Sequence, residues 1–438
     1  MMLKQSPTRL FALLLLAALT LTGRAAAQPI TIEITGASEA AIPIAVVPFR
    51  VAGNSAPPSQ DVAGIITNNL RRSGQFEPIA TSDMLSRPSR LDEVQFPQWR
   101  ALGVDNLVIG SIQPLAGGDY QLRFELLDVY KGSRLLEKTY RVSANSLRDL
   151  GHNISDLIYQ AITGQPGAFN TKVLYVTEFK EAGKRKYQLI HADADGERPQ
   201  ALLTSNEPIM SPAWSANRQQ VAYVSFEGGR AEVWTQPVYT AQRPVPRRKV
   251  AAFPGLNSAP AWAPDGRRLA LTLSKDGNPD IYVLDLDTGR LTQVTRHWSI
   301  DTSPVWTPDG RSIIFMSERA GGAQIYRVPA SGGEAQRLTF TGRYNADPAI
   351  SPDGKQLAMV HRTERGDQIA VMDLETQQLR VLTQGPLDGG PSFAPNGSML
   401  VYGRGGGGRL ATVSLYGRAD QPLALTHGAA RSPAWSPR

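Results

Sequence analysis

The eight residues SPVWTPDG, at positions 303–310, decide the fold of this chain because variants of them recur five more times. The plainest copies are SPAWSANR (211–218), APAWAPDG (259–266) and SPAWSPR (432–438). A repeat of 42–48 residues is typical of β-propeller blades or of helical arrays. The proline shared by all six copies stands at Pro212, Pro260, Pro304, Pro348, Pro391 and Pro433.

The segments between the copies favour strands over helices. Apolar or alternating runs such as RSIIFMSE (311–318) and IYVLDLD (281–287) fill each unit, and no run of 10–12 residues has a helical period. Each unit therefore predicts four strands joined by tight turns, which is the content of a propeller blade. For the turn after each copy we predict a type I′ hairpin, which needs positive φ at both central residues. These turns are Asp265-Gly266, Asp309-Gly310, Asp353-Gly354 and Asn396-Gly397.

One position, two residues after the shared proline, is aromatic in five of the six copies. We expect the repeated phrase to form the innermost strand of each blade, with small residues toward the central axis. The large side chain would then pack between blades, where it buries a large apolar area. Regular spacing favours this packing role over a tryptophan-lined ligand site. The residues are Trp214, Trp262, Trp306, Ile350, Phe393 and Trp435.

The two ends of the repeat region complete one blade between them. The segments 171–179, 187–195 and 201–204 resemble the second, third and fourth strands of a blade, yet no copy of the phrase precedes them. The copy at the C-terminal end supplies the missing strand. We predict that residues 170–438 form an all-β six-bladed β-propeller closed by the strand 432–438, which leaves no open sheet edge.

Residues 28–165 lack the repeat and mix helix and strand patterns. AIPIAVVPF (41–49) predicts a buried strand. The segment 61–74 starts with an Asp N-cap, ends in glycine and is apolar on one face, and the segment 146–164 has a second amphipathic helical pattern. These patterns predict a small α/β domain, joined to the propeller by the Gly- and Pro-rich residues 164–167.

Residues 1–27 have the pattern of a secretory signal peptide. Lys4 and Arg9 precede an apolar run over residues 10–22, and Ala25-Ala26-Ala27 supplies the small residues that a signal peptidase requires. The run is too short to favour an uncleaved membrane anchor. Removing these residues would lower the formal charge from +7 to +4.

The composition also restricts the function. The chain has no cysteine, which excludes disulfides, zinc–thiolate sites and cysteine nucleophiles. The basic residues form no stripe interleaved with aromatics, so we expect no nucleic-acid partner. An exported protein without cysteine is expected in a bacterial periplasm.

Catalytic motifs are absent from the sequence. The five histidines are far apart, and neither H-E-x-x-H nor G-x-S-x-G occurs. The glycines of GRGGGG (403–408) formally match a phosphate-binding pattern, but no helix follows them. HADADG (191–196) has His191 at the first ligand position of a calcium loop and no glutamate that closes it, so Asp193 and Asp195 are assigned to a hairpin turn. We therefore expect no enzyme and no cofactor.

Taken with the front domain, the phrases AVVPF (45–49) and FPGLNSAPAW (253–262) closely resemble the TolB family of periplasmic Tol–Pal components. The resemblance covers the whole chain after residue 27. It implies a non-enzymatic, monomeric adaptor that binds the lipoprotein Pal at the mouth of the propeller channel and is peripheral to membranes through its partners. It also implies that the mature N-terminus binds TolA or folds back on its own protein. Group A colicins, and other outer-membrane proteins, would be further partners, and the role would be in outer-membrane integrity and invagination during division.

Carried over by motif, the resemblance places Leu256, Ala259 and Thr302 in the Pal site. A histidine is common in the family where Leu256 stands, so this chain departs from the pattern there. The geometry of a propeller adds six residues that should surround the entrance: Met210, Asp301, Asn345, Asp347, Leu387 and Asp388.

The TolA site would be the segment QPITIEIT, which alternates polar and β-branched residues and could add as an edge strand to a partner sheet. An ordinary first strand of the front domain is the alternative interpretation. The residues are Gln28, Pro29, Ile30, Thr31, Ile32, Glu33, Ile34 and Thr35.

Besides the adaptor, the sequence alone leaves two functions open: an enzyme and a passive structural protein. A propeller hydrolase or lyase acting on a cell-envelope polysaccharide would need clustered carboxylates, for which Asp301, Asp347 and Asp388 are the candidates. The same three carboxylates could instead hold a divalent cation in the channel. A passive structural role in the envelope is the third possibility.

Overall fold

The structure is a computed structural model that describes residues 40–53, 56–239, 245–406, 408–416, 419–425 and 428–438. It consists of one mixed sheet with helices, followed by six four-stranded sheets. The predicted fold class, a six-bladed β-propeller preceded by a small α/β domain, is confirmed.

The N-terminal domain is built on six strands: β1 (Ile42–Val46), β2 (Arg50–Val51), β3 (Phe76–Pro78), β4 (Asn106–Pro114), β5 (Asp119–Asp128) and β6 (Ser133–Ser143). Their order in the sheet is β3-β1-β4-β5-β6, with β2 beside β4. β1 runs parallel to β3 and β4, whereas β4, β5 and β6 are antiparallel neighbours.

The described helices of this domain are α1 (Val62–Arg72), α2 (Phe96–Ala101) and α3 (Leu147–Thr163), with 3-10 turns at Thr81–Asp83, Leu91–Glu93 and Ala144–Ser146. α1 begins as expected, because the carboxylate of Asp61 accepts the Gly64 N–H at 3.0 Å. α3 ends at Gly164, whose φ of 75° is the left-handed conformation that stops a helix. Both long helices bury their apolar faces against the sheet and the propeller.

The next three strands are β7 (Lys172–Glu181), β8 (Lys184–Asp193) and β9 (Gln200–Ser205). Five complete blades follow, each with its inner strand first. Blade 1 has β10 (Ile209–Trp214), β11 (Gln220–Ser225), β12 (Glu232–Pro237) and β13 (Arg248–Ala251). Blade 2 has β14 (Asn257–Trp262), β15 (Arg268–Leu273), β16 (Asp280–Asp285) and β17 (Leu291–Gln293). Blade 3 has β18 (Asp301–Trp306), β19 (Ser312–Ser317), β20 (Gln324–Pro329) and β21 (Gln336–Arg337).

Blade 4 has β22 (Asn345–Ile350), β23 (Gln356–Thr363), β24 (Gly366–Asp373) and β25 (Leu379–Val381). Blade 5 has β26 (Gly389–Phe393), β27 (Met399–Arg404), β28 (Arg409–Ser414) and β29 (Asp420–Pro422). The last strand, β30 (Ala429–Trp435), pairs antiparallel with β7 and becomes the inner strand of blade 6, in the order β30-β7-β8-β9. Strands from the two ends of the propeller region therefore share one sheet.

The recurrent aromatic residue packs between blades, as predicted. The indole N–H of Trp306 donates to the Ala261 carbonyl on the inner strand of blade 2 at 3.1 Å. Trp214 donates in the same way to the Ala434 carbonyl of blade 6 at 3.1 Å. These two indoles thus fill seams between blades and satisfy their one polar atom there.

The predicted type of turn after the inner strand is wrong. Gly266 has a φ of 69°, but Asp265 is not among the residues with positive φ, so a type I′ turn is excluded. The Gly266 N–H instead donates to the Ala263 carbonyl at 2.9 Å, which closes a type I turn with Pro264 in its second position. Proline fixes a negative φ at that position. The glycine that ends the turn then adopts the left-handed conformation, which directs the chain into the next strand.

The two domains share one apolar core. Tyr159 of α3 contacts Phe169 edge to face, and both belong to a buried cluster that also contains Tyr175 of β7, Met399 of β27 and Trp435 of β30. The N-terminal domain therefore packs on blades 5 and 6. No helix in the described part of the chain has the length and apolar content needed to cross a membrane.

Candidate binding face at the channel mouth

The six inner strands run in the same direction around a central cavity of about 680 Å³ that all of them line. We call the end where these strands begin the mouth, and the end where they finish the base. The loops that enter the inner strands converge on the mouth. The Asp-Gly and Asn-Gly turns lie at the base, where Asn396 donates to the Pro166 carbonyl of the interdomain segment at 2.9 Å.

Every inner strand is interrupted by a β-bulge just before the shared proline. The register shifts between Met210 and Ala213 in blade 1, and equivalent shifts occur in the other five blades. The residue before each proline has a φ between 47° and 59°, which is unusual for residues other than glycine. The six residues are Ser211, Ala259, Ser303, Asp347, Gly390 and Ser432.

The backbone of these six residues is strained. Five of the six are non-glycine residues in a conformation that costs about 1–2 kcal/mol each. Such strain persists where the surrounding fold imposes it, and it concentrates at binding and active sites. The sequence showed the prolines but gave no sign of the backbone conformation before them.

Three of the expected contact residues are exposed at the mouth. Met210 is 48% exposed, Leu256 is 39% exposed and Leu387 is 56% exposed. Ala259 and Thr302 lie half-buried on their inner strands, and the Thr302 hydroxyl is 3.3 Å from that of Thr272. The structure therefore brings these five residues to one end of the channel.

Three other expected residues do not face the entrance, which corrects the geometric expectation. Asp301 is fully buried, and both of its oxygens accept hydrogen bonds from the Arg319 guanidinium at 2.8 and 3.0 Å. Asn345 is also fully buried, where its amide nitrogen donates to Gln324 at 2.9 Å. Asp388 is 2% exposed and accepts the Gly405 N–H at 3.1 Å. Short polar side chains at the start of these strands turn into the blade, where they tie neighbouring loops together.

Asp347 alone among the candidate carboxylates reaches the channel. It is exposed to the channel, while the wall around it limits its hydration. This desolvation raises the pKa of Asp347, against the lowering effect of the Gly390 N–H and the Ser303 hydroxyl. Within the described residues it makes no salt bridge.

Sequence reasoning missed the largest apolar side chains of this face. Trp298 is 82% exposed, Phe340 is 62% exposed and Ile300 is 40% exposed, and all three stand in loops that enter inner strands. Six of the ten exposed large apolar residues in the described part of the chain therefore lie at the mouth: Met210, Leu256, Trp298, Ile300, Phe340 and Leu387. A search for apolar residues in these loops, rather than for motif positions alone, would have found them.

The candidate carboxylates do not assemble into a catalytic or metal site. In the described residues, the one group of three carboxylate or imidazole ligand atoms within 4.8 Å of one another is His152, Asp193 and Asp195. Asp301, Asp347 and Asp388 form no such group. The clustered site that a hydrolase, a lyase or a divalent cation would require is therefore not formed by these residues.

The His152 group belongs to the domain interface instead. Asp193, the last residue of β8, binds Lys172 at 2.5 Å, Arg198 at 2.8 Å and Arg148 of α3 at 3.2 Å. Burial alone would raise the pKa of Asp193, but His152, Arg198 and Lys172 hold it well below its usual value. The predicted hairpin turn is present, yet its carboxylates also join the domains, which the sequence did not reveal. The expected TolA segment, residues 28–35, lies outside the described residues.

Comparisons with known proteins follow the same two-part division. Residues 30–135 match a family model described as the TolB amino-terminal domain, and residues 159–438 match the TolB beta propeller domain. The Tol-Pal system protein TolB of Alkalilimnicola ehrlichii is 47% identical over 98% of this chain and 100% of its own length. That of Methylococcus capsulatus is 49% identical over 93% of this chain and 94% of its own. The crystal structure of TolB from Acinetobacter baumannii superposes with a TM-score of 0.83 at 38% identity, over 93% of this chain and 100% of that one.

Proposed function

Because this chain belongs to the TolB family, we propose that it is a periplasmic adaptor of the Tol-Pal system with no catalytic activity of its own. In this proposal residues 1–27 direct export and are removed. The propeller mouth binds the lipoprotein Pal, and the mature N-terminus binds TolA. The complex links the envelope layers and supports outer-membrane integrity and invagination during division.

One observation carries the proposal for the mouth. Trp298, Phe340, Leu387 and their neighbours concentrate exposed apolar surface at one end of the channel. Monomeric proteins rarely keep such a patch unless it binds a partner, and aromatic residues commonly supply most of the binding energy. The fold holds the residues before the shared prolines in a strained conformation, and a face that is formed before binding lowers the ordering cost of binding.

A pull-down and calorimetric titration with lipid-free Pal from the same organism tests the proposal. The double variant Trp298→Ala/Phe340→Ala should bind Pal at least about tenfold more weakly, because exposed aromatic anchors are removed. Its melting temperature should stay at the wild-type value. Ala259→Val is a poorer probe, since a β-branched residue at a φ of 47° would add strain.

The matched control is Leu85→Ala, which removes an apolar side chain that is 67% exposed on the N-terminal domain. It should leave Pal binding unchanged. Equal binding by the wild type and the double variant would move the site away from the mouth. No binding by the wild type would refute the adaptor proposal itself.

The proposed TolA site is tested separately. Deleting residues 28–35 from the mature protein should abolish binding to the soluble C-terminal part of TolA, because an added edge strand would be lost. Pal binding should persist in the same variant. If TolA binding survives the deletion, the N-terminal segment is not the TolA site.

A further inference from the structure

One of the six residues that precede the shared prolines is acidic, unlike the other five. Five positions carry small uncharged residues, and the fourth blade carries Asp347. Its backbone has the same strained conformation, with a φ of 47°, so the blade does not need an acid there to form its bulge. An acidic side chain at the axis therefore calls for an explanation other than the fold.

The neighbouring acids are neutralised inside the protein, but Asp347 is not. Asp301 is held by Arg319, and Asp367 binds Arg362 at 2.6 Å. Among the described residues, the Gly390 N–H and the Ser303 hydroxyl favour the charged form of Asp347, and Asp367 adds a repulsive charge. Among the described lysines and arginines, none forms a salt bridge with its carboxylate.

A narrow cleft leads from the mouth to this carboxylate. Its volume is about 250 Å³, and its wall is formed largely by Leu387 and by glycines that have no side chains, Gly389, Gly390, Gly403 and Gly406. Arg431 also lines it, but its guanidinium binds Glu178 at 2.7 Å. The cleft thus joins the apolar side chain of Leu387 and an open, glycine-rich wall to a carboxyl group that has no cationic partner among the described residues.

We propose that Asp347 receives the ammonium group of a lysine side chain of the protein partner, whose aliphatic stem lies along Leu387 and the glycine wall. This inference rests on the proposed function, in which a protein occupies the mouth. A lysine matches both parts of the cleft, because it joins an apolar stem to a compact cation. A divalent cation matches poorly, since calcium takes six to eight oxygen ligands and magnesium six, and the other candidate acids are turned away.

The test uses the mature protein and lipid-free Pal as the probe, titrated by calorimetry at low and at high salt. Asp347→Asn keeps the shape of the side chain and tolerates positive φ, so the fold should be retained. It should weaken binding at least about tenfold at low salt, because a charge-assisted hydrogen bond is lost. The salt dependence of binding should fall in the same variant.

Asp353→Asn is the matched control, because it removes the same charge from the base end of the same blade, where Asp353 accepts the Lys355 N–H at 3.0 Å. It should bind Pal as the wild type does. Gly389→Ala provides a second, uncharged probe of the cleft. A Cβ there would lie 4.0 Å from the nearest atom, so the variant should fold, yet it narrows the cleft and should weaken binding about tenfold.

A lysine-to-methionine scan of Pal then identifies the partner residue. One substitution should weaken binding to the wild type by about the same factor as Asp347→Asn and cause no further loss in that variant. Wild-type affinity for Asp347→Asn overturns the inference while leaving the adaptor proposal intact. Binding that disappears on chelation of divalent cations in the wild type alone would assign Asp347 to a metal and also overturn it. Failure of the wild type to bind Pal refutes both.

Discussion

Two carboxylates at opposite ends of the propeller, Asp193 at the base and Asp347 at the mouth, differ in burial and in pairing. At the base, Asp193 is buried among Lys172, Arg198 and Arg148, and it ties the propeller to the helix α3. At the mouth, Asp347 faces the channel, and no lysine or arginine in the described part of the chain pairs with it. The first arrangement stabilises the relation between the domains, whereas the second leaves an interaction for a partner to complete. Accessibility and pairing, rather than residue type, separate a structural acid from a binding acid.

We expect the largest effect from a deletion that removes the inner strand of blade 6 but keeps the loops at the mouth. Deleting residues 432–438 removes most of β30, including Trp435, whose indole N–H donates to the Thr171 hydroxyl at 2.8 Å. Removing one buried tryptophan alone costs about 3–5 kcal/mol, which approaches the whole stability of many domains. We expect the cooperative unfolding transition to disappear in calorimetry and circular dichroism.

Deleting Arg438 alone is the control for that truncation, and it should unfold like the intact chain because β30 ends at Trp435. An unchanged transition in the 432–438 deletion would show that blade 6 holds together without its inner strand. The apolar core shared by the two domains would then depend on α3 and Phe169 more than on Trp435.

Sequence reasoning predicted the blades well because their signal is periodic. The shared proline recurs six times, the aromatic residue five times and the turn glycine four times, so local patterns reinforce one another. The predicted turn type was wrong because it was based on the Asp-Gly or Asn-Gly dipeptide alone. The dipeptide does not show that the preceding proline is also part of the turn. Pro264 fixes a negative φ at the second position of the turn, and the left-handed conformation occurs only afterwards, at Gly266.

The candidate site was less predictable because burial is a tertiary property. Asp301 lies three residues before the shared proline of its blade and Asp347 lies one residue before that of the next, yet Asp301 is fully buried and Asp347 faces the channel. Alternation along a strand would place them by parity, but the bulge before each proline shifts that parity by one residue. The ion network of Asp193 joins residues that are far apart in the chain, so no local sequence pattern predicts it.

The next largest effect is expected from removing the charge of Asp193 at the base. Asp193→Asn leaves Lys172, Arg198 and Arg148 beside an uncharged amide in a site where the side chain is 2% exposed. Breaking a buried ion network of this kind costs about 3 kcal/mol, which urea unfolding would measure as a lower midpoint. Asp287→Asn breaks an exposed pair with Arg267 and should change stability by less than about 1 kcal/mol.

The pH dependence of this loss follows from the low pKa of Asp193. A carboxylate whose folded-state pKa lies below its unfolded value of about 3.9 stabilises the protein fully above that value. The stabilisation is lost as the pH falls through the folded-state pKa. The difference between the wild type and Asp193→Asn should therefore be constant above about pH 5 and shrink below about pH 4. A difference that grew on acidification would contradict the assigned pairing.

The smallest effect tests whether the mouth is strained. Ala259 has a φ of 47°, and Gly390 already occupies the matching position of blade 5. Ala259→Gly should relieve about 1–2 kcal/mol of backbone strain while costing about 0.5–1 kcal/mol through the greater freedom of the unfolded chain. We expect a melting temperature equal to or slightly above that of the wild type. Ala270→Gly, at a fully buried position in the regular strand β15, should instead lower it, since there no strain is released. If both glycine variants are destabilised alike, the residues before the shared prolines store no strain, and the rigidity of the mouth must come from packing between the blades.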